Sequence, residues 1–162
     1  AAAYYTRDMD GYPMIVIHPD SLNLSYIDLG GIIVHEYYHV IQDTEDRYKD
    51  PASRWVWEPT ANWAAWSLFP DFFFVGFLDS YLRLSHKSLR FFAPIGDDMH
   101  EALYSYGEVL LFIHLEERGI RGLVTNIWKD AEEGLSALGA IQAYVGEEDF
   151  PTLWMDHNTV PI

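Results

Sequence analysis

The run Leu29-Gly30-Gly31-Ile32-Ile33-Val34-His35-Glu36-Tyr37-Tyr38-His39-Val40-Ile41-Gln42-Asp43-Thr44-Glu45-Asp46 decides how the chain is read. Ile32, Ile33, Val34, Tyr37, Val40 and Ile41 make it apolar nearly all round, which is the pattern of a helix covered by its neighbours. Asp28 stands just ahead as the expected N-cap, and the charged residues at 43–46 mark a solvated end. Inside this helix two histidines stand four residues apart. Positions i and i+4 lie one turn apart on one face, so His35 and His39 can turn imidazole nitrogens toward one point, with Glu36 beside them.

Working outward, the preceding residues hold one strand, Tyr12 to His18, bounded by Asp10-Gly11 and Pro19-Asp20. Everything downstream reads helical. Asp50-Pro51 opens a stretch to about Phe69 that carries Trp55, Trp57, Trp63 and Trp66. Pro59 within it predicts either a kink near Trp55 or a helix that begins near Glu58. A third helix follows Asp71 through Phe73, Phe77, Leu78, Tyr81 and Leu82 and ends near Leu84. A long loop with Pro94, Gly96, Asp97 and Asp98 leads to a fourth helix over 102–118, stopped by Gly119. Shorter helices are predicted over 123–132, 135–144 and 150–156. The fold class is therefore mainly α (α+β), a small N-terminal β element followed by a helical subdomain.

With 162 residues, 49% hydrophobic and 16% aromatic, the chain can bury a core as one domain over 1–162. A formal net charge of -15 repels phosphate, and the basic residues do not cluster, so nucleic acid is excluded as a partner. No apolar run approaches the roughly 18 residues of a spanning helix, so membrane insertion is not expected. The absence of Cys removes thiolate sites and leaves His and carboxylates as the strong metal ligands. Only three of the ten basic residues are Lys, and an acidic, Lys-poor composition fits an extracellular or periplasmic, secreted setting.

The segment His35-Glu36-Tyr37-Tyr38-His39 is an HExxH motif. Its spacing suits a Zn2+ ion held by His35 and His39, with Glu36 as the general base that takes a proton from water and passes it to a leaving amine. Such a zinc site needs a third protein ligand. Glu58 follows His39 after eighteen residues, room for one helix to end and the next to return antiparallel. A Glu amid so many Trp residues is costly unless it is paired or bound to metal. Asn62, one turn after Glu58, is placed to orient a ligand histidine.

HExxH, the eighteen-residue gap and Glu58 within Trp55-Val56-Trp57-Glu58-Pro59-Thr60-Ala61 resemble the gluzincin metallopeptidases, thermolysin and aminopeptidase N among them. The aminopeptidase branch has Trp-x-x-Glu-Gly-x-Ala at that spacing, and Pro59 stands here where Gly is usual. The resemblance implies a zinc metallopeptidase core with metal ligands His35, His39 and Glu58 and catalytic Glu36, acting on a peptide or protein substrate. Tyr104-Ser105-Tyr106-Gly107 resembles the family's Tyr-x-x-Gly helix opening and implies that the catalytic Tyr104 hydroxyl supports the oxyanion. Tyr106, two residues on and on another face, and His100 are its rivals. The family places a β lobe before the HExxH helix, and Tyr12 to His18 resembles its substrate-binding edge strand. With about 28 residues ahead of the metal helix, the chain is expected to be the catalytic core of something longer. The aminopeptidase branch's Gly-x-Met-Glu-Asn segment is missing, which favours an endopeptidase.

Two other readings compete. Glu36-x-x-His39 with Asp97-x-x-His100, Glu58 and Glu108 would make a dimetal carboxylate oxidoreductase in a helical bundle, but His35 then has no role. A catalytically inactive binding module on a metallopeptidase fold would keep the site without the chemistry. The Phe72-Phe73-Phe74 run is either core or the lining of a substrate groove. His18, His86, His114 and His157 have no ligand spacing.

Overall fold

The computed structural model describes residues 2–72, 75–92, 98–146 and 150. The helix that carries the HExxH motif, α1, spans Tyr26–Glu45. Its N-cap is Ser25 rather than Asp28, because the extended Ser25 accepts the Asp28 N–H on its Oγ at 3.1 Å. Asp28 falls in the first turn instead, where its carboxylate takes the Ser25 hydroxyl at 2.6 Å and faces the positive end of the helix. At the other end Asp46 turns left-handed with φ 54°.

Two strands, β1 (Ala3–Arg7) and β2 (Pro13–Ile17), form an antiparallel hairpin with Ala3 opposite Ile17 and Arg7 opposite Pro13. β2 lies within the strand that the sequence predicts. β1 has no sequence signal, since Tyr4-Tyr5-Thr6-Arg7 shows no clean alternation. The turn is built on Asp8, whose carboxylate accepts the N–H groups of Asp10 and Tyr12 at 2.9 and 2.8 Å. A lone hairpin is marginal in water. This one is fastened to α1 through Asp43, which accepts from the Tyr5 hydroxyl, from Arg7 Nε at 2.8 Å and from Lys49 Nζ at 3.2 Å.

A 3-10 turn, Arg54–Val56, runs straight into α2, Trp57–Leu68. Of the two expectations for Pro59, the helix beginning near Glu58 is the one found. Pro59 occupies the first turn of α2, where a backbone N–H has no intrahelical acceptor and its absence costs nothing. Phe69 and Phe72, which follow α2, lie over Gly30 and Gly31 of α1. A Cβ on Gly31 would come within 2.3 Å of the Phe72 ring, so the two glycines admit those rings to the helix backbone.

Helix α3 spans Val75–Arg83, and the predicted start at Phe73 lies outside the described residues, as do Pro94, Gly96 and Asp97. Asp98 caps α4 (Met99–Gly107) by accepting the His100 and Glu101 N–H groups at 2.8 and 3.2 Å. Where periodicity predicts one helix over 102–118, the chain breaks and continues as α5, Val109–Glu117. α6 (Leu123–Lys129) and α7 (Ala137–Val145) follow, both close to their predicted positions. The predicted helix over 150–156 lies outside the described residues beyond Phe150. The main apolar core joins the 3-10 turn to α5, α6 and α7 through Trp55, Phe112, Leu115, Ile127, Trp128 and Ile141. The described chain is mainly helical, and no helix in it is long and apolar enough to cross a membrane.

Candidate metal centre

Helices α1 and α2 pack against each other, and their contact brings His35, His39 and Glu58 to one point. The two Nε2 atoms are 3.1 Å apart, and Glu58 Oε2 lies 3.3 Å from His35 Nε2 and 3.6 Å from His39 Nε2. Among the described residues this is the group of His and carboxylate side chains whose ligand atoms converge. Both histidines are buried, and Glu58 Oε2 is buried with no hydrogen-bond partner. Glu58 also sits in the first turn of α2, where the helix dipole favours a carboxylate.

The far side of each imidazole is held by an amide. His35 Nδ1 is 2.8 Å from Asn62 Oδ1, and Asn62 Nδ2 donates to the Tyr106 carbonyl at 3.0 Å. The Asn62 amino group is committed to that carbonyl, so its oxygen faces the ring and His35 Nδ1 carries the proton. His39 Nδ1 is 2.6 Å from Gln42 Oε1. With its proton on Nδ1, His35 turns a bare Nε2 lone pair toward the Glu58 carboxylate oxygen and the His39 ring, an arrangement that could hold a cation. Zinc bonds of about 2.0–2.1 Å in a tetrahedron place ligand atoms about 3.3 Å apart, so the observed spacings fit a four-coordinate ion with one position left for water.

Electrostatics couple the same three groups. Burial would push the Glu58 carboxyl up, but its pairing with His35 and His39 outweighs this and holds it far below the usual carboxylate range. His39 shows the converse, for burial would push it down, while Glu58, Gln42 and Glu36 together carry it up. The rings are also clamped by stacking. Tyr106 lies parallel to His35 with centroids 5.8 Å apart and Phe77 backs Tyr106 at 4.9 Å, while Trp57 stacks on His39 at 6.3 Å.

Glu36 is half-buried beside the histidines, and its Oε2 accepts the Tyr5 backbone N–H at 2.8 Å. One carboxylate oxygen is thus pinned by β1, and Oε1 is left to act. A cleft of about 420 Å³ opens here, with Ile32, Phe72, Phe77, Met99 and Leu103 beside His35, Glu36 and Tyr106.

The structure places one expected residue away from these groups. Tyr104 is not at this centre: its ring packs on Tyr81 and Phe91, and its hydroxyl donates to the Lys87 carbonyl at 3.2 Å. The face of α4 that lines the cleft is Met99, Ala102, Leu103 and Tyr106, a helical i, i+3, i+4, i+7 stripe that leaves position 104 pointing away. Tyr106 lies on that stripe instead, and burial first, then the Glu58 and Glu36 carboxylates, push its hydroxyl up so that it stays protonated. His100 is engaged elsewhere, with Nδ1 3.1 Å from Ser80 Oγ. His18 accepts the Asp20 N–H at 3.2 Å within its own turn. Glu108 contributes to no converging group among the described residues, outside which Asp97, Phe73, Phe74 and His157 lie.

Two participants go unread in the sequence. Gln42 stands three residues after His39 on the same helix face, which spacing alone could have shown, whereas the Tyr5 N–H depends on a strand that sequence periodicity does not reveal. Comparison of the chain with models of known families, with curated proteins and with solved structures gave no match.

Proposed function

We propose that this chain is a zinc-dependent peptidase of gluzincin type, with His35, His39 and Glu58 as metal ligands. The observation that carries the reading is the convergence of two Nε2 atoms and an otherwise unpartnered, buried carboxylate oxygen at spacings of 3.1–3.6 Å. A zinc ion held there would supply Lewis acidity, activating water at neutral pH and polarising a carbonyl.

The chain's own residues do the rest. Glu36 Oε1 takes a proton from the attacking water as the new C–O bond forms and returns it to the amine as the C–N bond breaks. The Tyr5 N–H holds the other Glu36 oxygen and keeps the carboxylate turned to the cleft. The Tyr106 ring stacks on His35 and Phe77, and its hydroxyl is the donor assigned to the negative charge that develops on the carbonyl oxygen. The mostly apolar cleft supports a peptide substrate that places an apolar side chain beside the scissile bond.

Glu36→Gln is the first test. The variant is expected to retain one zinc per chain while cleavage of a diverse peptide library falls by about 10²–10⁴-fold. Zinc-loaded wild type that cuts nothing would leave the inactive binding module as the answer, and two iron or manganese ions per chain would favour the dimetal oxidoreductase.

A further inference from the structure

Thr60 is fully buried on α2 and has one proton to give. Its hydroxyl donates to the Val56 carbonyl at 2.6 Å. The oxygen is then an acceptor only, and it receives two donors: Gln42 Nε2 at 2.9 Å and Trp128 Nε1 at 3.1 Å. Gln42 Nε2 also donates to the Trp57 carbonyl at 2.8 Å. Both amide protons of Gln42 are thereby committed on one side, so Oε1 must face the other, toward His39 Nδ1 at 2.6 Å.

From this we infer that Gln42, Thr60 and Trp128 form a hydrogen-bond relay, its two N–H donors converging on Thr60 Oγ1, that places the His39 proton on Nδ1 and leaves Nε2 bare as a metal ligand. Gln42 and Thr60 are wholly buried and Trp128 is 1% exposed, so no water competes for these bonds. The relay reaches from the first metal helix through α2 to α6, and Trp128 also lies edge-on to Trp57, the ring that stacks on His39. Gln42, Thr60 and Trp128 are positioning residues: none offers a ligand to the centre, and each acts through the next. His35 receives the equivalent service from Asn62 alone, so the two ligands are oriented by independent devices.

The inference rests on the metal reading for its purpose, but its central claim about the proton does not. In zinc-free protein, at a pH where His39 is neutral, nitrogen-15 NMR is expected to report the Nδ1-protonated tautomer, and an Nε2-protonated ring overturns the relay whether or not zinc binds. Zinc affinity, measured by chelator competition, is expected to fall by about 10–100-fold in Thr60→Val, which keeps the shape and loses the hydroxyl. Trp128→Phe should also weaken binding, and in the double variant the losses should fall short of additive because both act through Thr60 Oγ. Wild-type affinity in Thr60→Val, or fully additive losses, would refute the relay. A wild-type chain that takes up no zinc would defeat the proposed function instead, and the tautomer measurement would still decide the relay.

Discussion

Tyr104 and Tyr106 share a short helix and differ in surroundings: the Tyr104 hydroxyl donates to the Lys87 carbonyl, whereas the Tyr106 ring stacks on His35. Tyr106→Phe keeps the ring that stacks between His35 and Phe77 and removes only the donor. Turnover is expected to drop by about 10²–10³-fold with zinc content unchanged, the scale set by losing one oxyanion donor. Tyr104→Phe loses a buried hydrogen bond and should cost about 1 kcal/mol of stability with normal turnover per folded molecule. A steady-state assay beside a urea titration separates the two, and the reverse pattern would return the role to Tyr104. Residues whose relation is set within one helix were legible in the sequence: His35, Glu36 and His39 by their spacing, and Asn62 by standing one turn beyond Glu58. The choice between the tyrosines was not, because it depends on how α4 is rotated against α2 and α3.

At the scale of elements, the break between α4 and α5 shows what periodicity leaves out. The apolar pattern runs unbroken over 102–118, yet α3 approaches so closely that a Cβ on Gly107 would lie 2.4 Å from Tyr81 Cβ and 2.8 Å from the Phe77 carbonyl oxygen. That contact is tertiary and has no counterpart in local spacing. Glu108, at the break, is fully buried, and neither carboxylate oxygen has a hydrogen-bond partner. Burial pushes its carboxyl well above the usual range. The folded state therefore holds this proton more tightly than the unfolded chain. No penalty exists in acid, where both states are protonated, and it grows as pH rises past the ordinary carboxylate value. Glu108→Gln, which cannot ionise, should match the wild type near pH 4 and exceed it at pH 8 by about 1–3 kcal/mol, the cost of an unpaired buried group. Urea midpoints at the two pH values measure this, and an equal difference at both would show that the charge is not the cause.

For the molecule as a whole, an acidic surface and a small N-terminal hairpin meet at Asp43. With 25 Asp plus Glu against 10 Lys plus Arg, repulsion works against every added negative charge, yet Asp43 gathers two of the ten cations, Arg7 and Lys49, together with the Tyr5 hydroxyl. The Tyr5 hydroxyl first, then Arg7 and Lys49, hold its carboxyl down at about 2. A depressed acid stabilises the fold above its ordinary range and loses that contribution as pH falls through about 2. The hairpin also carries the N–H that pins Glu36, so the fastening at one end of α1 bears on Glu36 two turns away. Asp43→Asn is expected to loosen β1 by on the order of 1 kcal/mol, raising amide exchange in Ala3 to Arg7 by about fivefold and leaving α6 and α7 unchanged. If the proposed function holds, kcat should fall with it at constant zinc occupancy, since Glu36 and not His35, His39 or Glu58 is disturbed. Uniform acceleration of exchange across all helices would mean that Asp43 supports global stability rather than the hairpin, and unchanged exchange in β1 would show that apolar contact with α1 holds the strands without it.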